Sequence, residues 1–126
     1  MKKVLLLLAC SFIALSAVGN EKNDVVSEVK AYYFHNTRRC VTCKAVEDVA
    51  YNAFKELSEG TIILKSVNLD DKANEDLINK IGAKGQALLI VKGEKKIDLT
   101  VDGFLYARTD PDKLVQKIRE ALDSLK

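Results

Sequence analysis

The chain has 126 residues, 48% of them apolar and 30% charged, with six Gly and one Pro. That mixture suits one globular domain and excludes collagen-like, low-complexity and disordered chains. A formal charge of +2 is too small a surplus to indicate nucleic acid as a partner.

Residues 1–19, "MKKVLLLLACSFIALSAVG", stand apart from the rest. Lys2 and Lys3 precede an apolar run from Val4 to Val18, and small residues end it. This is the layout of a secretory signal peptide, with cleavage expected after Gly19. The run falls short of the roughly 20 residues of a membrane span, and the alternative of a buried core helix is disfavoured because no polar face appears anywhere in it. Leu7-Leu8-Ala9-Cys10 also has the form of a lipobox, but the apolar run continues beyond Cys10, where a lipoprotein turns polar. The expected location is therefore periplasmic or extracellular, with a membrane tether only if Cys10 is lipidated. Cleavage removes two lysines and no acid, so the mature chain is neutral. Its cysteines are then Cys40 and Cys43, in a compartment where disulfides persist.

Residues 20–28 read as a polar tether, and residues 29–126 as the folded domain. "VKAYYFH", 29–35, is rich in aromatic and β-branched residues and reads as a buried strand. From Val41 to Leu57, apolar Val46, Val49, Ala50, Ala53, Phe54 and Leu57 recur at helical steps, and Gly60 marks the stop. "TIILKSVNL", 61–69, is a second strand, apolar enough to be covered on both faces. "DDKANEDLINKIG", 70–82, is an acid-led helix that Gly82 ends. "ALLIV", 87–91, is a third strand. The turn "KGEK" joins it to a fourth, "KIDLTVDG", in which Ile97, Leu99 and Val101 alternate. Asp110 is a good N-cap and Pro111 suits the first position of a last helix, striped by Leu114, Val115, Ile118, Ala121, Leu122 and Leu125. The class is α/β, in the order β-α-β-α-β-β-α. A β-α-β start demands parallel strands and the hairpin adds antiparallel ones, giving a four-stranded mixed sheet with helices on both faces.

The chemistry lies in "HNTRRCVTCK", residues 35–44. Cys40 falls between the first strand and the first helix, placed to cap that helix. Cys43 lies three residues on, within reach. Free backbone N–H groups and the positive end of the helix dipole stabilise an anion there. Arg38, Arg39 and Lys44 add positive charge. Together they favour a Cys40 thiolate, the nucleophile of thiol–disulfide exchange, with Cys43 as the resolving thiol. Two blander readings stand beside this one. A structural clip would close a loop too short to constrain much chain. A metal site would have two thiolates, half of a tetrahedral set, with His35 the sole histidine and no second CxxC. That leaves a linear, copper-like carrier site or one shared between two copies. No cofactor is expected.

The position of "RCVTCK", the order of elements, "KIGAKGQALLIVKGE" and the closing "VDG" and amphipathic helix resemble the thioredoxin-like superfamily. The resemblance covers the chain from about Val29 to its end. It implies an enzyme that exchanges disulfides with thiols or disulfides of other exported proteins and is recycled by a redox partner. A redox-inert binding protein of the same fold is the alternative. Oligomeric state is not implied. Arg39 stands where such proteins usually have Trp, and Val41-Thr42 where many have Gly-Pro. Gln86 or Ala87 falls where a cis-proline lines the substrate groove. "AYYFH" carries no buried acid, so a proton leaving Cys43 goes to water, to the substrate or to His35.

Overall fold

The computed structural model describes residues 28–126. The leader read at 1–19 and all but the last residue of the tether lie outside the described residues. β1 spans Lys30–His35, and every residue after Lys30 is buried. The reason is its central place. It pairs in parallel with β2 (Lys65–Asn68) and antiparallel with β3 (Ala87–Lys92). β4 (Lys95–Asp98) pairs antiparallel with β3, giving the order β2-β1-β3-β4. Side chains of β1 alternate between two cores, as strand geometry requires. Ala31 and Tyr33 enter the larger core and Tyr32 and Phe34 the smaller.

Helices cover both faces, as expected. α1 (Val41–Leu57) and the last helix, Pro111–Asp123, lie on the larger core. α1 supplies Val46, Ala50, Ala53 and Phe54 there, and the last helix supplies Leu114, Ile118 and Ala121. On the other face, α2 (Glu75–Ile81), entered through a single 3₁₀ turn at Lys72–Asn74, packs Leu77, Ile78 and Ile81. Gly82 ends α2 with φ of 79°, the left-handed cap that glycine adopts without strain. Asp110 caps the last helix, accepting the Lys113 N–H at 3.2 Å, and Pro111 opens it.

Two expectations change. The strand read through "KIDLTVDG" stops at Asp98, and a third helix, α3 (Thr100–Tyr106), follows; the last helix is therefore α4. Asp98 Oδ1 accepts the Thr100 N–H at 2.9 Å and the Thr100 hydroxyl at 2.5 Å. Thr100 Oγ1 in turn accepts the Leu88 N–H at 3.1 Å, so one threonine ends the ladder and starts the helix. Leu99 stays buried, but Val101 faces outward in the first turn of α3. The second change is in "TIILKSVNL". Its pairing starts only at Lys65, opposite Tyr32, and Ile63 is exposed. β2 is a short edge strand of four residues, and within residues 61–69 Leu64 and Val67 alone are buried.

Candidate active site

β1 delivers the chain to the end of the sheet at His35, and Asn36–Arg39 turn it into α1. Cys40 is the N-cap in extended conformation (φ −76°, ψ 167°), and its Sγ accepts the Cys43 N–H at 3.1 Å. A sulfur thus does what a Ser or Asp oxygen does at a helix start. The bond strengthens as that sulfur gains negative charge. Cys40 and Cys43 are disulfide-bonded, with Cα atoms 5.0 Å apart. Cys40 is exposed and Cys43 is 4% exposed. One sulfur is open to attack or to attack from, and the other is sheltered one turn in.

Of the two groove candidates, the fold brings Gln86 to the dithiol and sends Ala87 elsewhere. Gln86 Oε1 lies 3.4 Å from Cys43 Sγ, and its Nε2 donates to Asn36 Oδ1 at 3.2 Å. Ala87 pairs with Phe34 and packs into the smaller core. No peptide bond among the described residues is cis.

The cations divide differently from the sequence expectation. Arg38 and Lys44 are exposed around the helix start. Arg39 is turned inward. It pairs with Glu47 of α1, donates from Nη2 to His35 Nε2 at 2.6 Å, and reaches Ser66 Oγ at 3.2 Å. His35 is buried at the end of β1; its Nδ1 accepts from Arg39 Nε at 3.1 Å and lies 2.9 Å from its neighbour's carbonyl, Asn36 O. Both of its ring nitrogens are therefore engaged. Below this cluster sits Tyr33, fully buried, whose hydroxyl has no hydrogen-bond partner. Burial and the Glu47 charge push its pKa up to about 12, against a smaller opposite pull from Arg39.

The loop before α1 is tied to the end of β2. Asp70 accepts the Thr37 N–H at 2.7 Å and the Asn36 Nδ2–H at 3.3 Å. These bonds hold its carboxyl below the usual aspartate range. The Leu69 N–H donates to His35 O at 2.7 Å, and Asn68 Nδ2 donates to Thr37 Oγ1 at 3.1 Å. Asn36, Glu47 and Asp70 were not singled out from the sequence. Each matters through a partner eight or more residues away, and no local pattern marks such a pairing. Among the described residues, no group of three or more His, Cys, Asp or Glu side chains is arranged to hold a metal ion.

No protein-family model matches the chain, and no curated protein matches it. Solved structures do. Thioredoxin O2 from Arabidopsis thaliana, in its oxidized state, superposes with a TM-score of 0.52 at 17% identity, covering 79% of this chain and 76% of that one. The germline-specific thioredoxin Deadhead from Drosophila melanogaster gives 0.49 at 14% identity, over 75% of this chain and 81% of its own. At such identities the likeness to the plant thioredoxin speaks for the fold alone. Together with a CxxC-spaced disulfide where the central strand turns into the first helix, it makes this chain a thioredoxin-like protein in fold.

Proposed function

We propose that the protein is an exported thiol–disulfide oxidoreductase that exchanges disulfides with other exported proteins through Cys40 and Cys43. The observation that carries this is the asymmetry of the pair. An exposed sulfur caps a helix and accepts a backbone N–H, and a buried sulfur waits one turn behind it. In the reduced protein, the Cys40 thiolate attacks one sulfur of a substrate disulfide and expels the other as a thiolate. Cys43 then loses its proton, which the departing thiolate or water accepts, and attacks the Cys40 sulfur. The Cys40–Cys43 disulfide forms and the second substrate thiolate leaves, so two protein thiols are oxidised and one substrate disulfide is reduced. Run backwards, the same steps oxidise a substrate dithiol. Val41, 68% exposed beside Cys40, offers an apolar lip against which a protein substrate can rest. Export is proposed from the leader-like residues 1–19, and it suits a chain whose mature cysteines form a disulfide.

The test is the pH dependence of Cys40 alkylation together with turnover of a disulfide substrate such as insulin. A Cys40 midpoint below that of free cysteine, with turnover lost in Cys40→Ser and Cys43→Ser, is expected. A midpoint no lower than about 8.5, the free value, would remove the main support. Tight Cu(I) binding without turnover would point to a metal carrier instead.

A further inference from the structure

The side chain of Gln86 is oriented by a chain of bonds that starts at a carboxylate. Asp70 can only accept, and its Oδ1 faces Asn36 Nδ2 at 3.3 Å. That fixes Asn36 with its amide oxygen turned the other way, where it accepts from Gln86 Nε2 at 3.2 Å. The Gln86 carbonyl oxygen is then left facing Cys43 Sγ at 3.4 Å. Turning the Gln86 amide over would set its oxygen against Asn36 Oδ1. Turning both amides over would set Asn36 Oδ1 against the carboxylate. Each alternative opposes two acceptors at hydrogen-bonding distance, so the three residues have one satisfied arrangement. Asp70 is itself held by the Thr37 N–H at 2.7 Å, and its own N–H donates to Asn68 Oδ1 at 2.9 Å.

We propose that Asp70 and Asn36 are positioning residues that aim the Gln86 carbonyl oxygen at Cys43, and that Gln86 holds this cysteine as the protonated, waiting thiol of the pair. The inference rests on the oxidoreductase reading for its purpose, though not for its measurement. In the disulfide the sulfur carries no proton and the contact is only an approach. On reduction, the Cys43 S–H gains an acceptor in Gln86 Oε1. A thiolate at the same place faces the oxygen lone pairs. Cys40, by contrast, faces the Cys43 N–H. The two sulfurs are thus sorted, with the anion favoured on the exposed one and the proton on the buried one. The charged and titratable side chains at this end of the sheet are Lys44 and Glu47 on α1, Cys40 at its cap, His35, Arg38 and Arg39 at the β1 end and loop, Tyr33 of β1 beneath them, and Asp70 after β2. Among the described residues, Gln86 is the side chain whose polar atom meets the Cys43 sulfur outside the disulfide itself. In the resolving step, the proton that leaves Cys43 for the substrate thiolate or water must first leave this bond. Gln86 therefore lengthens the life of the mixed disulfide.

The experiment is the alkylation pH profile of Cys43 in the full chain carrying Cys10→Ser and Cys40→Ser, where it is the sole thiol. Gln86→Ala is expected to lower the Cys43 midpoint by about half to one unit, the scale of one hydrogen bond. Gln86→Glu is expected to raise it by at least as much. Asn36→Ala and Asp70→Asn are each expected to lower it, because both release the amide to turn its N–H toward the sulfur. Asn36→Ala keeps the Asp70 charge. If Asp70→Asn moves the midpoint and Asn36→Ala does not, the effect is a field through space and the proposal is overturned. An unmoved midpoint in folded Gln86→Ala, or a lowered one in Gln86→Glu, overturns it as well. In a background that retains both active-site cysteines, Gln86→Ala should also shorten the lifetime of a trapped mixed disulfide by three- to tenfold. Failure of the protein to turn over any disulfide, with the Cys43 midpoint behaving as expected, would sink the proposed function and leave this inference standing.

Discussion

Arg39 and Arg38 are adjacent in sequence and differ in what their charges do. Arg38 is exposed and forms no ion pair among the described residues. Its field at Cys40 crosses solvent, and salt screens it within about 10 Å at ordinary ionic strength. Arg39 sits half-covered against Glu47, so what Cys40 feels from that side is a dipole and not a lone cation. Removing the arginine alone leaves the partly buried Glu47 carboxylate, two turns into α1, without its partner. Arg39→Gln is therefore expected to raise the Cys40 alkylation midpoint by about half to one unit. Adding Glu47→Gln should bring the midpoint most of the way back, and the response should persist in about 1 M salt. Arg38→Gln should raise the midpoint less, and high salt should erase its effect. The measurement is the pH profile of Cys40 in a chain with Cys10→Ser and Cys43→Ser. Equal, additive and salt-sensitive effects at both arginines would contradict the pairing.

α3 is the element that the sequence hides, and its glycine shows why. Gly103 sits where a Cβ would come 3.1 Å from Val46 Cγ1 and 3.5 Å from Leu88 Cδ2, so its bare Cα lets α3 press onto α1 and β3. Gly103→Ala should be close to neutral. Helix propensity gains up to about 1 kcal/mol and the tight contact with Val46 takes back a similar amount. Gly103→Leu has no space and should lose about 2–3 kcal/mol in a urea titration. A Leu variant as stable as the parent would mean α3 is not seated there. In the sequence, polar and apolar residues alternate from Asp98 to Asp102, which reads as strand, and Gly103 reads as a turn. A seven-residue helix is too short for its own period to outweigh that. α1 and α4 were legible because their stripes run over 17 and 13 residues and their ends carry chemistry of their own, Cys40 in one case and Asp110–Pro111 in the other. The place of Cys40 and Cys43 was legible for the same local reason. What surrounds them was not. Gln86 could be placed beside the dithiol by position, but its orientation depends on Asn36, 50 residues earlier, and on Asp70. The helix ends follow the same rule. Lys96 of β4 donates to Ile81 O at the end of α2, and Lys92 of β3 to Leu125 O beyond α4. In the sequence Lys92 falls in the turn "KGEK" and Lys96 opens "KIDLTVDG", and neither position marks a partner at a helix end.

Across the whole molecule, the central strand is covered on both faces, and that cover has a consequence in alkaline solution. Tyr33 lies at 0% exposure in the larger core, among side chains from α1, α3 and α4, with its hydroxyl unpartnered. Its pKa is pushed up to about 12, from an ordinary value near 10. Below about pH 10 the phenol is protonated in folded and unfolded chains alike, so its titration adds nothing to the pH dependence of stability. Between about pH 10 and 12 the unfolded chain has released the proton and the folded chain retains it. The folded state then binds more protons, so stability falls as pH rises through that window. Tyr33→Phe deletes this contribution and also deletes a buried hydroxyl that bonds to nothing. At pH 7 the variant should be as stable as the parent or more stable by up to about 1 kcal/mol. Its advantage should then widen between pH 10 and 11. Urea midpoints of the two proteins at pH 7, 10 and 11 check this, in oxidised samples carrying Cys10→Ser so that no free thiol can reshuffle the disulfide. Every other side chain is the same in both proteins, so its contribution cancels in the difference. A difference that stays flat with pH would mean the phenol ionises as freely in the fold as outside it. A Phe variant less stable at pH 7 would mean that the hydroxyl has a partner, and the natural one is Glu47, through which the core beneath α1 would be coupled to the charges around the dithiol.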